Sequence, residues 1–282
     1  MEIKKVGVVG CGLMGSGIVE VCARAGYDVV VREVDESLLT KGLDRVRASL
    51  LKAVARGKAT QEQADQALSH IRGTLDLADL ADCDLVIEAA VENMAVKKEI
   101  FAALDRLLAP HAILASNTSS LCITEMASVT QRGDKVLGIH FFNPVPVMPL
   151  IEFVRTILTS DETMHIARQF GASLGKTMVV AKDTPGFIVN RLLIPYLLDA
   201  VRLYEEGLAS REDIDTAIQL GLNHPMGPLT LLDFVGLDTT LYIADAMFEE
   251  YKDPRYAVPP LLRRMVLAGH LGRKSGKGFY EY

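Results

Sequence analysis

Two stretches of this sequence carry residue types that could do chemistry. The first is 138–152, an apolar segment, a proline-rich turn and a second apolar segment, whose few polar side chains are His140, Asn143 and Glu152. A histidine ending an apolar run, with a carboxylate brought back towards it, can serve as a general base with an orienting partner. The same pattern also describes a histidine whose hydrogen bonds are satisfied inside a core. The segment alone leaves both readings open. The second stretch is Gly10-Cys11-Gly12-Leu13-Met14-Gly15, a G-x-G-x-x-G turn directly after the apolar residues 6–9.

The elements around that turn give it meaning. Ile18, Val21, Cys22 and Ala25 recur at helical spacing after it, and Gly26 ends the helix. Val29, Val30 and Val31 then form a second strand closed by Arg32 and Glu33. In such a βαβ unit the first glycine permits the tight turn, the second admits a pyrophosphate, and the third lets helix and strand pack closely. The helix N-terminus offers N–H groups to the phosphates. Glu33 can accept the ribose hydroxyls of an adenosine and would repel a 2′-phosphate. NAD is the expected cofactor, with NADP as the alternative because Arg32 stands beside the acid.

Further along, the pattern of an open α/β sheet continues. The spacing predicts a helix over 37–56 with Leu39, Leu43, Val46, Leu50 and Val54 on its buried stripe. Its basic cluster, including Arg45, Lys52 and Arg56, reads either as a solvated face or as a seat for a polyanion such as the phosphates of coenzyme A. Thr60 and Gln63 form a capping box. Residues 84–90 form an apolar strand that opens on Asp84 and carries one internal acid, Glu88, as suits a parallel sheet buried on both faces. Glu92 follows it, and Lys97 and Lys98 open the next helix, serving either a ligand or the surface. The strand 112–115 empties into Ser116-Asn117-Thr118-Ser119-Ser120, an ordinary polar loop or, at the C-terminal edge of the sheet, a candidate substrate site. Strands at 136–139 and 178–181 and a helix over 161–174 complete this part. After Lys182-Asp183-Thr184-Pro185-Gly186 only helical patterns recur, at 187–206, after Ser210, and near 228–235, 238–251 and 259–269. The expectation is a Rossmann-type, mostly parallel α/β domain over 1–184 and a smaller all-helical domain over 185–282.

Composition removes several classes of function. At 282 residues, with 49% hydrophobic and 23% charged residues, the chain can bury a sizeable core. A net charge of −6 gives no support for nucleic-acid binding. No apolar run is long enough to span a bilayer, and the N-terminus reads straight into a strand without a signal segment, so the expected compartment is the cytoplasm. The four cysteines and six histidines lack metal-ligand spacing, and no metal site is expected.

Residues 10–15, 116–120, His140-Phe141-Phe142-Asn143-Pro144 and Asp183-Thr184-Pro185-Gly186-Phe187-Ile188-Val189-Asn190-Arg191 occur together and in order. With the terminal Gly272-Arg273-Lys274-Ser275-Gly276-Lys277-Gly278-Phe279-Tyr280, this set resembles the short-chain L-3-hydroxyacyl-CoA dehydrogenase family, 3-hydroxybutyryl-CoA dehydrogenases included, over essentially the whole chain. The resemblance implies reversible hydride transfer between (S)-3-hydroxyacyl-CoA and 3-oxoacyl-CoA, as in fatty-acid or butanoate metabolism. It implies His140 as the base, Glu152 as its orienting carboxylate, and Ser119 and Asn190 as substrate contacts in a cleft between domains. Gly10, Cys11, Gly12, Leu13, Met14, Gly15, Glu33, Glu92, Lys97, Ser119, Asn143 and Lys274 match cofactor contacts. Ser49 and Arg56 match contacts to coenzyme A, with Arg56 standing where a lysine is often found and Glu33 where an aspartate is more usual. The substrate pair implied is acetoacetyl-CoA and 3-hydroxybutyryl-CoA, and the helical domain is implied to form a homodimer. Two other readings are an NAD-binding protein without activity and a dehydrogenase of free 3-hydroxy acids. The intact Ser119, His140, Glu152 and Asn190 speak against the first, and the basic helix with Ser49 and Arg56 against the second.

Overall fold

The computed structural model describes residues 2–282, which divide into two compact units, 2–184 and 185–282. The first unit runs β1 (Lys5–Val9), α1 (Leu13–Arg24), β2 (Asp28–Arg32), α2 (Glu36–Ala55), α3 (Gln61–Ser69), β3 (Ile71–Thr74), β4 (Leu85–Glu88) and α4 (Met94–Leu107). It continues with β5 (Ile113–Ser116), α5 (Ile123–Ala127), β6 (Val136–Phe141), β7 (Leu150–Arg155), α6 (Asp161–Ser173) and β8 (Thr177–Lys182). Side-chain caps set several helix starts. The Asp35 carboxylate accepts the Leu38 N–H at 2.8 Å, so α2 begins at Glu36, and Thr60 and Gln63 close the expected capping box on α3.

The strands form one eight-stranded sheet in the order β3-β2-β1-β4-β5-β6-β7-β8. The strands from β3 to β6 are mutually parallel, whereas β7 runs antiparallel to β6 and β8 parallel to β7. The sheet is therefore mostly parallel, as expected. The interior strands β1, β4, β5 and β6 are buried along almost their whole length, which explains their continuous apolar composition. Three elements went unassigned in the sequence, β3, α5 and β7, the last read only as an apolar segment. Strand β3 is a four-residue edge strand with exposed Arg72 and Gly73, too short and too mixed to show a period. The chain reverses direction across the sheet between β1 and β4, which opens a crevice beyond their C-terminal ends.

The second unit is α7 (Val189–Glu205), α8 (Arg211–Gly221), α9 (Pro228–Val235), α10 (Leu237–Tyr251) and α11 (Pro260–Leu267) around its own core, including Leu197, Val201, Leu229, Leu232, Ala244 and Met247. Helix α7 starts two residues later than its apolar stripe predicts. Gly186 and Phe187 both hold positive φ, +81° and +45°, which the helix cannot include. Two buried carboxylates fix the C-terminal tail of this unit. Asp233 accepts the N–H groups of Phe279 and Tyr280 at 2.8 and 2.9 Å, and Asp215 accepts the Tyr280 hydroxyl at 3.0 Å. Among the described residues no strand follows β8, and no helix is long and apolar enough to cross a membrane.

Candidate functional site

The turn after β1 is shaped by what a side chain would strike. Gly10 has φ +98°, and a Cβ there would come within 2.6 Å of the Ala89 carbonyl oxygen at the end of β4. A Cβ on Gly15 would overlap the Gly10 carbonyl oxygen. Both glycines are thus required for α1 to start where it does. Helix α1 has no side-chain cap and no acid in its first turn, and a Cβ on Gly12 would meet nothing within 4 Å. Its first N–H groups therefore face open space, which fits a dinucleotide pyrophosphate. The exposed apolar side chains Leu13, Val34 and Val91 belong to the same edge, following β1, β2 and β4.

Glu33 lies just past the end of β2. Its Oε1 accepts the Cys11 N–H at 2.6 Å and its Oε2 accepts the Val34 N–H at 2.9 Å. The carboxylate is thereby fixed beside the glycine turn, where a ribose would lie. Arg32 points its Nε to the Leu75 carbonyl at 3.2 Å, so its guanidinium is partly committed to the protein. The Cys11 thiol is pushed up to about 11 by burial and by the Glu33 charge, with Arg45 opposing. It stays neutral and adds no anion to a phosphate site.

Beyond β4 and β5 lies a closed circuit of polar groups. Glu88 is fully buried; its Oε1 accepts from the Ala90 N–H at 2.7 Å and the Lys97 ammonium at 2.6 Å, and its Oε2 from the Ser116 hydroxyl at 2.6 Å. Lys97, 1% exposed, also pairs with Glu92 at 3.1 Å. Glu92 accepts the Thr118 hydroxyl, and the Thr118 N–H donates to Ser116 Oγ at 3.2 Å. Ser119 follows Thr118 in the loop and is half-buried. Lys98 instead faces outward to Glu125 at 3.1 Å. The two lysines differ: Lys97 turns inward to two protein carboxylates and Lys98 lies towards the surface. Asn117 ties this loop to β6, its Oδ1 accepting the Phe141 N–H at 3.0 Å.

His140 stands directly opposite Glu152 in the antiparallel register of β6 and β7. Its Nδ1 lies 2.7 Å from Glu152 Oε2, and Glu152 has no exposed surface. A carboxylate is an acceptor only, so the proton of the neutral ring sits on Nδ1 and the ring lone pair on Nε2. Lys176 holds the turn that joins the two strands. Its ammonium donates to the carbonyls of Val145 and Met148 at 2.7 and 2.6 Å, and burial, with Arg24 nearby, pulls its pKa down. Asn143 sits exposed in that turn, before a cis peptide bond to Pro144.

The first unit therefore brings the glycine turn, Glu33, Glu92, Lys97, the Ser119 loop, His140 and Glu152 to the C-terminal edge of strands β1, β2, β4, β5 and β6. Ser49 and Arg56 lie apart on α2, two turns from one another and on one helix face. Arg56 is exposed. Near Ser49, the Glu20 carboxyl is pushed up by burial, with Ser49 and Arg24 opposing. In the second unit, Asn190 is buried in the first turn of α7, and Lys274 donates to Asp238 at 2.6 Å. Sequence reasoning gave no role to Glu88, Ser116 or Lys176. An acid inside an otherwise apolar parallel strand was the signal for Glu88, because a buried carboxylate demands donors. Among the described residues no cluster of His, Cys, Asp and Glu could hold a metal ion.

The chain is similar in sequence and fold to known proteins. A family model described as 3-hydroxyacyl-CoA dehydrogenase, NAD binding domain, matches residues 5–184, and one described as 3-hydroxyacyl-CoA dehydrogenase, C-terminal domain, matches 186–282. A 3-hydroxybutyryl-CoA dehydrogenase of Mycobacterium tuberculosis is 56% identical, with 99% of each chain covered. The human mitochondrial hydroxyacyl-coenzyme A dehydrogenase is 48% identical, covering 99% of this chain and 91% of that one. The crystal structure of (S)-3-hydroxybutyryl-CoA dehydrogenase from Ralstonia eutropha superposes with a TM-score of 0.95 at 44% identity, covering 100% of this chain and 99% of the other.

Proposed function

The chain belongs to the 3-hydroxyacyl-CoA dehydrogenase family, and on that basis we propose that it reversibly interconverts (S)-3-hydroxybutyryl-CoA and acetoacetyl-CoA with His140 as general base and acid. The observation that carries this reading is the His140–Glu152 pair, 2.7 Å apart in the sheet that also presents the glycine turn. In oxidation, Nε2 takes the proton of the 3-hydroxyl while Glu152 stabilises the imidazolium that forms. NAD, when bound, supplies the hydride acceptor. In reduction the imidazolium returns the proton. Ser119 is assigned a hydrogen bond to the 3-oxygen, and Asn190, from the helical unit, a second substrate contact. Glu33, Glu92, Lys97, Asn143 and Lys274 are assigned to the cofactor. Ser49 and Arg56 are assigned to coenzyme A, with the Arg56 guanidinium suited to a phosphate.

The direct test supplies acetoacetyl-CoA with NADH and, separately, with NADPH, and follows nicotinamide absorbance. Rapid loss of NADH and slow loss of NADPH is the expected result. Oxidation of neither sinks the assignment. If free acetoacetate is reduced as fast as its CoA ester, the CoA contacts on α2 are wrong.

Homodimerisation is assigned to the helical unit. It is supported by Leu192, Leu220 and Leu267, exposed by 73%, 80% and 83%, more apolar surface than a lone helical unit has reason to show. Equilibrium sedimentation is expected to give twice the chain mass, and a monomer mass at micromolar concentration removes the assignment.

A further inference from the structure

We infer that Glu88 is a positioning residue for the reaction, acting through the polar circuit that holds the Ser119 loop. It touches neither of the residues proposed to handle the proton, His140 and Glu152. Instead it gathers donors from three places: the Ala90 N–H beyond its own strand, the Lys97 ammonium from α4 and the Ser116 hydroxyl at the end of β5. From Lys97 the circuit passes to Glu92 and on to the Thr118 hydroxyl. Thr118 Oγ1 in turn accepts the N–H groups of Ser120 and Leu121 at 3.3 and 3.0 Å, the two residues directly after Ser119. The Thr118 N–H closes the ring on Ser116 Oγ. The Glu88 backbone carbonyl also accepts the Asn117 N–H at 2.8 Å. These hydrogen bonds around residues 116–121 lead back to Glu88 within a few links.

Stability gives little reason for such an arrangement. A buried ion pair contributes roughly what well-packed apolar side chains of the same volume would. What a fully satisfied polar network does provide is a single geometry. The backbone on both sides of Ser119 is pinned, so its hydroxyl is presented without reorganisation. A displacement of about 1 Å at such a position can cost about 100-fold in rate.

The inference rests on the proposed role of Ser119, and a double-mutant cycle separates the two. Turnover of acetoacetyl-CoA at saturating NADH is compared for the parent, Glu88→Gln, Ser119→Ala and the double variant, with melting temperature recorded for each. Glutamine keeps the size of Glu88 but cannot accept from all three donors. Glu88→Gln is expected to lower kcat about 10- to 100-fold with a smaller change in KM. The double variant is expected to be no slower than the slower single variant, because both act through one hydroxyl. If Ser119→Ala is slow but the two losses multiply, Glu88 does not act through Ser119 and the inference is overturned alone. If Ser119→Ala turns over normally, the role of Ser119 fails and takes the inference with it. A folded Glu88→Gln with parental kcat also overturns it. Should Glu88→Gln not fold, Ser116→Ala breaks a single link of the circuit and is run through the same cycle with the same criteria.

Discussion

Replacing His140 with glutamine is expected to lower turnover by about two to four orders of magnitude, the usual contribution of a positioned general base. Binding of NADH should hardly change. His140 sits near the end of β6, whereas the glycine turn and Glu33 follow β1 and β2, and three strands separate β6 from β2 in the sheet. Glutamine preserves much of the volume and can still hydrogen-bond Glu152, so the strand pairing survives. What it lacks is a basic nitrogen lone pair able to take and return a proton. Steady-state reduction of acetoacetyl-CoA measures the loss, and quenching of NADH fluorescence measures binding. Near-normal turnover removes His140 from the role of base, and a large loss of NADH affinity shows that the residue serves the cofactor instead.

Glu152→Gln probes the other half of the pair and should be nearly as damaging, about 100-fold in kcat or more. The amide oxygen can still accept the Nδ1 proton, which keeps the ring roughly oriented. The negative charge is gone, however, and a largely buried imidazolium then forms beside a neutral group. In that setting charge is costly, and the transition state that creates it loses its main stabiliser. Glu152→Asp retains charge but retreats by one methylene, and is expected to recover part of the activity. Equal turnover for the parent and Glu152→Gln would reduce Glu152 to a packing residue.

The sheet and the dinucleotide turn were legible from the chain because their signals are local. The glycines, the valines of β1 and β2 and the acid after β2 fall within residues 6–33, and each follows from backbone sterics or burial. The helical second half was legible from periodicity alone. His140 and Glu152 were visible as residue types, but their pairing depends on the antiparallel register of β6 and β7, which follows from the turn between them. The Glu88 circuit was not legible. Its members come from β4, α4, β5 and the loop after it, and only the sheet order brings them together. Lys97 illustrates the difficulty. A lysine in the first turns of a helix reads as a surface cation, yet here the partner is an acid at the end of a neighbouring strand. The clamp of Lys176 on the turn at 143–149 was equally silent, because its acceptors are backbone carbonyls common to every residue.

Glu33 sets a limit on how this protein could be redesigned. The residue proposed to discriminate between the two nicotinamide dinucleotides is also a strut, since one oxygen restrains the glycine turn at Cys11 and the other the chain at Val34. Exchanging it for a small or cationic side chain, the obvious route to a 2′-phosphate, would strip the acceptor from two backbone N–H groups at the place where the phosphates must be received. A single substitution would therefore broaden preference and loosen the cradle together. A clean conversion needs a paired change, one side chain to welcome the extra phosphate and another, short and oxygen-bearing, to inherit the Cys11 N–H.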